Sequence, residues 1–128
     1  LKMRLKKLSN IIKRRRSNAK LYQSLVKKPE IKFINTPLDR KDAFVMFIVL
    51  AKKRDKLQKY LMSHGIESII YYGTPLHLHK SAKILGYKKG DFPIAEQQCK
   101  EVLALPHHQH LTKEQIFYVA NKINKFYD

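Results

Sequence analysis

Histidine has the widest chemical range of any residue type in this 128-residue chain, and its six copies fall as one pair, one triplet and one single. An imidazole can ligate a metal, move a proton or hold a helix end. His77 and His79 stand two apart, so a strand would turn both to one face. His107, His108 and His110 sit between Pro106 and a helix start, where polar residues are expected. Zinc needs three or four converging ligands, and neither group is joined by Cys or an obvious carboxylate at ligand spacing, so no metal centre is expected. His64 closes a helical stretch and is placed to meet its terminal carbonyls. The one cysteine, Cys99, excludes an internal disulfide and a cysteine-cluster metal site, and its helical neighbours offer no catalytic partner. Ser9, Ser17, Ser24, Ser63, Ser68 and Ser81 lie in helical or strand contexts with no nucleophile elbow. Four dispersed glycines, Gly65, Gly73, Gly86 and Gly90, make no phosphate loop. Taken alone, these residues assemble no self-contained active site.

The charge balance points to a class of partner without choosing one. Lys and Arg number 27 against 10 Asp and Glu, a net charge of +17. Such a field attracts any polyanion, whether RNA, DNA, anionic lipid or a nucleotide-sugar pyrophosphate. Much of the excess lies before residue 60, in Lys6-Lys7, Lys13 to Arg16, Lys27-Lys28 and Lys52 to Arg54. These short runs alternate with apolar residues and read as solvated faces of ordered elements. Hydrophobic content of 44% suits a globular core. The longest apolar run, Ala43 to Ala51, is too short to span a bilayer, and the first residues lack a signal-peptide core, so a soluble cytoplasmic protein is expected.

The elements that must position these residues can be read from periodicity. Leu1, Leu5, Leu8, Ile12, Ala19, Tyr22 and Val26 follow helical spacing broken only at Arg15, which predicts a long amphipathic helix ended by Lys27-Lys28-Pro29. Ile31 to Asn35 alternates weakly as a strand, and Ala43 to Leu50 reads as a buried central strand. A helix over Arg54 to His64 ends at Gly65, a good left-handed cap. Ile66 to Tyr72 makes the next strand, and Gly73-Thr74-Pro75 turns the chain away. Leu78 to Leu85 suggests a short helix. Pro93 opens a helix to about Glu101, and Val102 to Leu105 is a short strand. Thr112 and Gln115 form a capping box for the last helix, with Leu111 and Ile116 placed as a hydrophobic staple. The fold class is α+β: a small, mainly antiparallel sheet of three or four strands, helices packed on one side, and a long helix leading in.

Several short patterns then fall in one order. They are Arg15, Ala19 and Tyr22 in the first helix; Phe44 to Leu50 followed by Lys53-Arg54-Asp55; and Gly65-Ile66 with Tyr72, Pro75, Leu76 and His77. Gly90-Asp91-Phe92-Pro93 with Ala95-Glu96 follows, then Leu103-Ala104-Leu105-Pro106, then Leu111-Thr112 with Glu114-Gln115. From about Leu5 to Asp128 this series resembles the C-terminal small domain of the DegT/DnrJ/EryC1/StrS sugar aminotransferases, enzymes of the aspartate aminotransferase superfamily. The sequence departs from the family where His-Tyr-Pro is replaced by Tyr71-Tyr72-Gly73 and Gln by His79, so no family histidine role passes to Tyr71.

The resemblance implies amino transfer from glutamate to a keto-sugar nucleotide in the intact enzyme, with pyridoxal phosphate bound as a Schiff base to a lysine of a preceding large domain. A large domain and a homodimer partner are implied as partners, and the helix beginning at residue 1 without a methionine is expected to be part of a larger chain. Residues 1–28 would be the connecting helix and 29–128 the small domain. No lysine here lies in a recognisable family context, so the chain alone is expected to bind no cofactor and to be inactive. The resemblance places Tyr72 and His77 facing the cofactor and substrate cleft; alternatively, Pro75-Leu76-His77 merely shapes the corner after the strand. Two other functions remain open: a basic nucleic-acid-binding module using the first helix, disfavoured because no reader motif is present, and a non-catalytic remnant that dimerises through exposed apolar surface.

Overall fold

The computed structural model describes residues 5–34, 36–37 and 39–128; residues 1–4, Asn35 and Leu38 lie outside it. Helix α1 spans Leu8–Leu25, followed by strands β1 (Ile31–Phe33) and β2 (Phe47–Ala51) and helix α2 (Arg54–Ser63). Helix α3 is Pro93–Glu101, strand β3 is Val102–Leu105, and helix α4 is Lys113–Phe126. The sheet runs β1-β2-β3, with both pairings antiparallel.

The register explains which face is buried. Phe47 pairs with Leu105 and Val49 with both Leu103 and Phe33, which places these side chains on one face. That face meets Ala19, Tyr22 and Val26 of α1, Leu57 and Leu61 of α2, and Ile116, Val119, Ala120 and Ile123 of α4 in a single core. Helix α3 contributes no residue to that core. The opposite face carries Ile48, Leu50 and Val102, all only half-buried.

Helix α1 uses only part of the apolar stripe read from the sequence. Ala19 and Tyr22 are fully buried, whereas Leu5 and Leu8 are 58% and 46% exposed, so its first turns run beyond the core. Arg15, which interrupts the stripe, is a clasp rather than a flaw. Its Nε donates to Gln109 Oε1 at 3.1 Å, and its carbonyl accepts from His107 Nε2 at 3.0 Å. Tyr22 stacks on Phe47 with ring centroids 5.2 Å apart and donates its hydroxyl to the Pro106 carbonyl at 3.0 Å.

Three elements are shorter or tighter than the sequence predicts. The run from Ala43 becomes a strand only at Phe47. Asp42 Oδ1 accepts the Phe44 N–H at 2.6 Å, and Phe44 takes a positive φ of 46°, which breaks the extended backbone. The expected strand over Ile66 to Tyr72 shrinks to one bridge, Ile69 to Ala104. Gln58 Nε2 donates to the Ser68 carbonyl at 3.0 Å, so a side chain satisfies a group that a ladder would have used. The expected helix over Leu78 to Leu85 is two 3₁₀ turns, Leu76–Leu78 and Lys80–Leu85, with no buried residue in either. With no core contact to hold an α-helical face, the tighter turn suffices. The predicted capping box of α4 is present, with Thr112 and Gln115 bonding reciprocally. His64 Nδ1 lies 2.8 Å from the Tyr60 carbonyl, at the end of α2.

Candidate functional site

The corner after Gly73 and the start of α3 border an open cleft of about 480 Å³. Tyr72, Pro75, Leu76 and His77 line it from the corner, and Phe92, Ala95, Gln98, Cys99 and Val102 from the α3 side. The two residues singled out in the sequence, Tyr72 and His77, therefore open onto one cleft. Tyr71 does not join them. It lines a larger cavity of about 730 Å³ on the other side, with Met46, Ile69, His108 and Tyr118. Adjacent tyrosines thus serve separate surfaces.

The Gly-Asp-Phe-Pro pattern builds the wall opposite the corner. Gly90 supplies a φ of +101°, which few side-chain-bearing residues adopt. Asp91 Oδ2 accepts the Lys88 N–H at 2.7 Å and closes the turn. Phe92 precedes the helix as its N-cap residue, and Pro93 takes the first helical position, where its missing N–H costs nothing. Glu96, one turn into α3, reaches back so that Oε1 accepts the Gly90 N–H at 2.6 Å.

That same oxygen lies 3.1 Å from His77 Nε2. Both side chains are nearly enclosed, His77 at 8% and Glu96 at 11% exposure. The Gly90 N–H holds the Glu96 carboxyl below its usual range against the opposing cost of burial, and the hydrogen bond to His77 adds to the lowering. The His77 ring also packs on Phe92 at 4.8 Å, and Phe92 on Tyr87 at 5.0 Å. Sequence reasoning found Glu96 only as part of a motif; its contact with His77, 19 positions away, carries no local signal.

The remaining histidines do other work. His107 stacks on Phe47 at 5.0 Å, and burial pushes its titration down. Its Nε2 donates to the Arg15 carbonyl and ties the β3–α4 loop to α1. His79 Nε2 lies 3.2 Å from the Thr74 carbonyl in an exposed setting. Among the described residues no group of three His, Cys, Asp or Glu is placed to hold a metal ion. Nor is any described helix long and apolar enough to cross a membrane.

Comparison with solved structures gives the class first. DesV of S. venezuelae, solved in complex with a ketimine intermediate, superposes with a TM-score of 0.92 at 28% identity, over 98% of this chain and 34% of that one, and a DegT DnrJ EryC1 StrS aminotransferase from Brucella abortus with a TM-score of 0.87 at 28% identity, over the same shares. The fold is thus that of a partial domain of an aminotransferase. The chain belongs to the DegT/DnrJ/EryC1/StrS aminotransferase family, which it matches over residues 1–124. It is similar to the pleiotropic regulatory protein of Geobacillus stearothermophilus, 37% identical over 99% of this chain and 35% of the relative. It is also similar to the dTDP-3-amino-3,6-dideoxy-alpha-D-galactopyranose transaminase of Aneurinibacillus thermoaerophilus, 29% identical over 98% of this chain and 34% of the relative. The chain spans about a third of the length of the curated relatives it matches.

The family's enzymes depend on pyridoxal phosphate. Covalent attachment of that cofactor needs a desolvated lysine, because a solvated ammonium keeps its proton at neutral pH. No lysine among the described residues is buried.

Proposed function

We propose that the chain is the C-terminal domain of a pyridoxal-phosphate-dependent nucleotide-sugar aminotransferase, acting in the cytoplasm, and is not catalytic by itself. Residues 1–28 would connect it to a large domain, and 29–128 would form the small domain. In the whole enzyme, working with that domain and a homodimer partner, glutamate would give its amino group to a keto-sugar nucleotide. One observation carries the site reading: Tyr72 and His77 share a cleft beside a corner whose pattern the family match includes.

In that cleft the phenol of Tyr72 offers a hydroxyl and His77 an imidazole, on apolar walls formed by Leu76, Phe92 and Val102. Such a surface suits a deoxygenated sugar ring with one or two polar handles. The surrounding positive field would draw the pyrophosphate of the nucleotide.

Two measurements test this. Titrating the chain with a dTDP-sugar should shift the NMR signals of Tyr72 and His77 saturably; a response confined to the lysines of α1 and lost with salt would favour the polyanion-binding alternative instead. Adding pyridoxal phosphate should produce no stable, saturable Schiff-base absorbance, and the appearance of one would overturn the expectation that the chain alone binds no cofactor.

A further inference from the structure

We propose that Glu96 is a positioning residue for His77, committing Nε2 to donate and leaving Nδ1 as the one ring nitrogen able to accept a hydrogen bond or proton from a ligand in the Tyr72 cleft. The functional meaning of this assignment rests on the reading of that cleft as the substrate side; the geometry does not.

The argument starts from one oxygen atom. Glu96 Oε1 receives both the Gly90 N–H, at 2.6 Å, and His77 Nε2, at 3.1 Å. A backbone amide is always a donor, so Oε1 presents lone pairs on the Gly90 side. Held ionised, it presents lone pairs to His77 as well, and the proton must sit on Nε2. Ring orientation is fixed separately by Phe92, packed at 4.8 Å and 55° to the imidazole plane. Nε2 is spent on Glu96, and among the described residues Nδ1 makes no side-chain hydrogen bond comparable with it.

Other groups facing this node leave the assignment intact. Asp91 turns its carboxylate to the Lys88 N–H, and His79 turns toward the Thr74 carbonyl. Cys99 and Tyr72, across the cleft, form no ion pair with His77. The arrangement is a carboxylate–imidazole pair in which the carboxylate is itself anchored by the backbone of a glycine at positive φ. Such second partners fix which nitrogen of a histidine is available.

The test uses the 128-residue chain, labelled with ¹⁵N, at about pH 8, where an ordinary imidazole is neutral. Long-range ¹⁵N–¹H spectra should show His77 with its proton on Nε2 and a slowly exchanging Nε2–H resonance. Glu96→Gln, whose amide oxygen still accepts, should retain that resonance. Glu96→Ala should lose it to solvent exchange and populate both tautomers, while His79 and His108 are unchanged. A wild-type ring protonated on Nδ1 overturns the proposal, and this reading needs no variant to fold. An unchanged, slowly exchanging Nε2–H in a folded Glu96→Ala variant overturns it too. Failure of the cleft reading looks different: the wild-type tautomer would be as stated, yet a dTDP-sugar would leave the His77 Nδ1 signal unmoved.

Discussion

Arg54 Nη1 donates to the carbonyl of Val102 at 2.9 Å, joining the first residue of α2 to the point where α3 becomes β3. The Arg54 side chain is only 7% exposed, and its Nε pairs at 2.7 Å with Asp55, which is largely in solvent. Replacing Arg54 with Ala leaves the Val102 carbonyl without this donor, a loss of about 1–3 kcal/mol. Urea unfolding should show the lower midpoint, and Arg54→Lys should recover only part of it because a point ammonium cannot serve both partners in the fork geometry.

Two left-handed positions should respond in opposite directions. Lys53 precedes α2 with φ 54°, and Gly65 follows it with φ 71°. A Cβ at Gly65 meets nothing within 4 Å, so Gly65→Ala suffers backbone strain alone, about 1 kcal/mol. Lys53→Gly relieves the same strain but frees the unfolded chain, leaving a net gain of at most about 1 kcal/mol. Thermal melts of the two single variants check the signs.

The capping box of α4 is exposed but geometrically complete, with Gln115 N–H to Thr112 Oγ1 at 3.2 Å and Thr112 N–H to Gln115 Oε1 at 3.0 Å. Thr112→Ala should destabilise the fold by about 1 kcal/mol, and Thr112→Ser by much less. Denaturant midpoints distinguish the two.

Acid and alkali should each find a particular group. The folded Glu96 carboxyl titrates below its usual range, so its contribution is complete above about pH 4.3, the unfolded value, and is lost as pH falls further. Glu96→Gln should flatten the acid limb of stability against pH. Burial pushes Tyr127 up to about 12, and Tyr22 is raised further. Their contributions are complete below about pH 10 and fade as pH rises toward the folded values, because the unfolded chain loses these protons first. Tyr22→Phe should remove part of that alkaline sensitivity while losing about 1 kcal/mol with its bond to Pro106. A series of urea midpoints across pH reads both limbs.

What the sequence made legible was whatever rests on local periodicity or local capping. Ala19, Tyr22, Ile116 and Ile123 lie on the helical faces that their spacing announces, and Thr112 with Gln115 caps α4 as the three-residue interval requires. Strand Val102–Leu105 falls on its predicted residues. The failures come from side chains that compete for backbone groups, Asp42 at Phe44 and Gln58 at Ser68, and from the lack of core contact over Leu76 to Leu85. Ile66 to Tyr72 has the composition of a strand, yet Gln58 takes the Ser68 carbonyl and only Ile69 stays paired. At the candidate site, Tyr72 and His77 were expected from the family resemblance, and the structure sets both on one cleft. Glu96 and Arg54 were recognised only as members of short motifs, since nothing local says that one meets His77 and the other Val102.

The single bridge at Ile69 has a consequence for how this domain meets other molecules. Ile69 N–H to Ala104 O at 3.0 Å and Ala104 N–H to Ile69 O at 2.8 Å cover the outer edge of β3 at its middle. At the other edge, β1 is three residues long with an exposed Lys32 at its centre. A foreign strand finds no long row of unpaired amides at either side. Although many of the domain's apolar side chains lie open to solvent, the described sheet offers another chain only short edges to pair with, so side chains carry most of the surface available for contact.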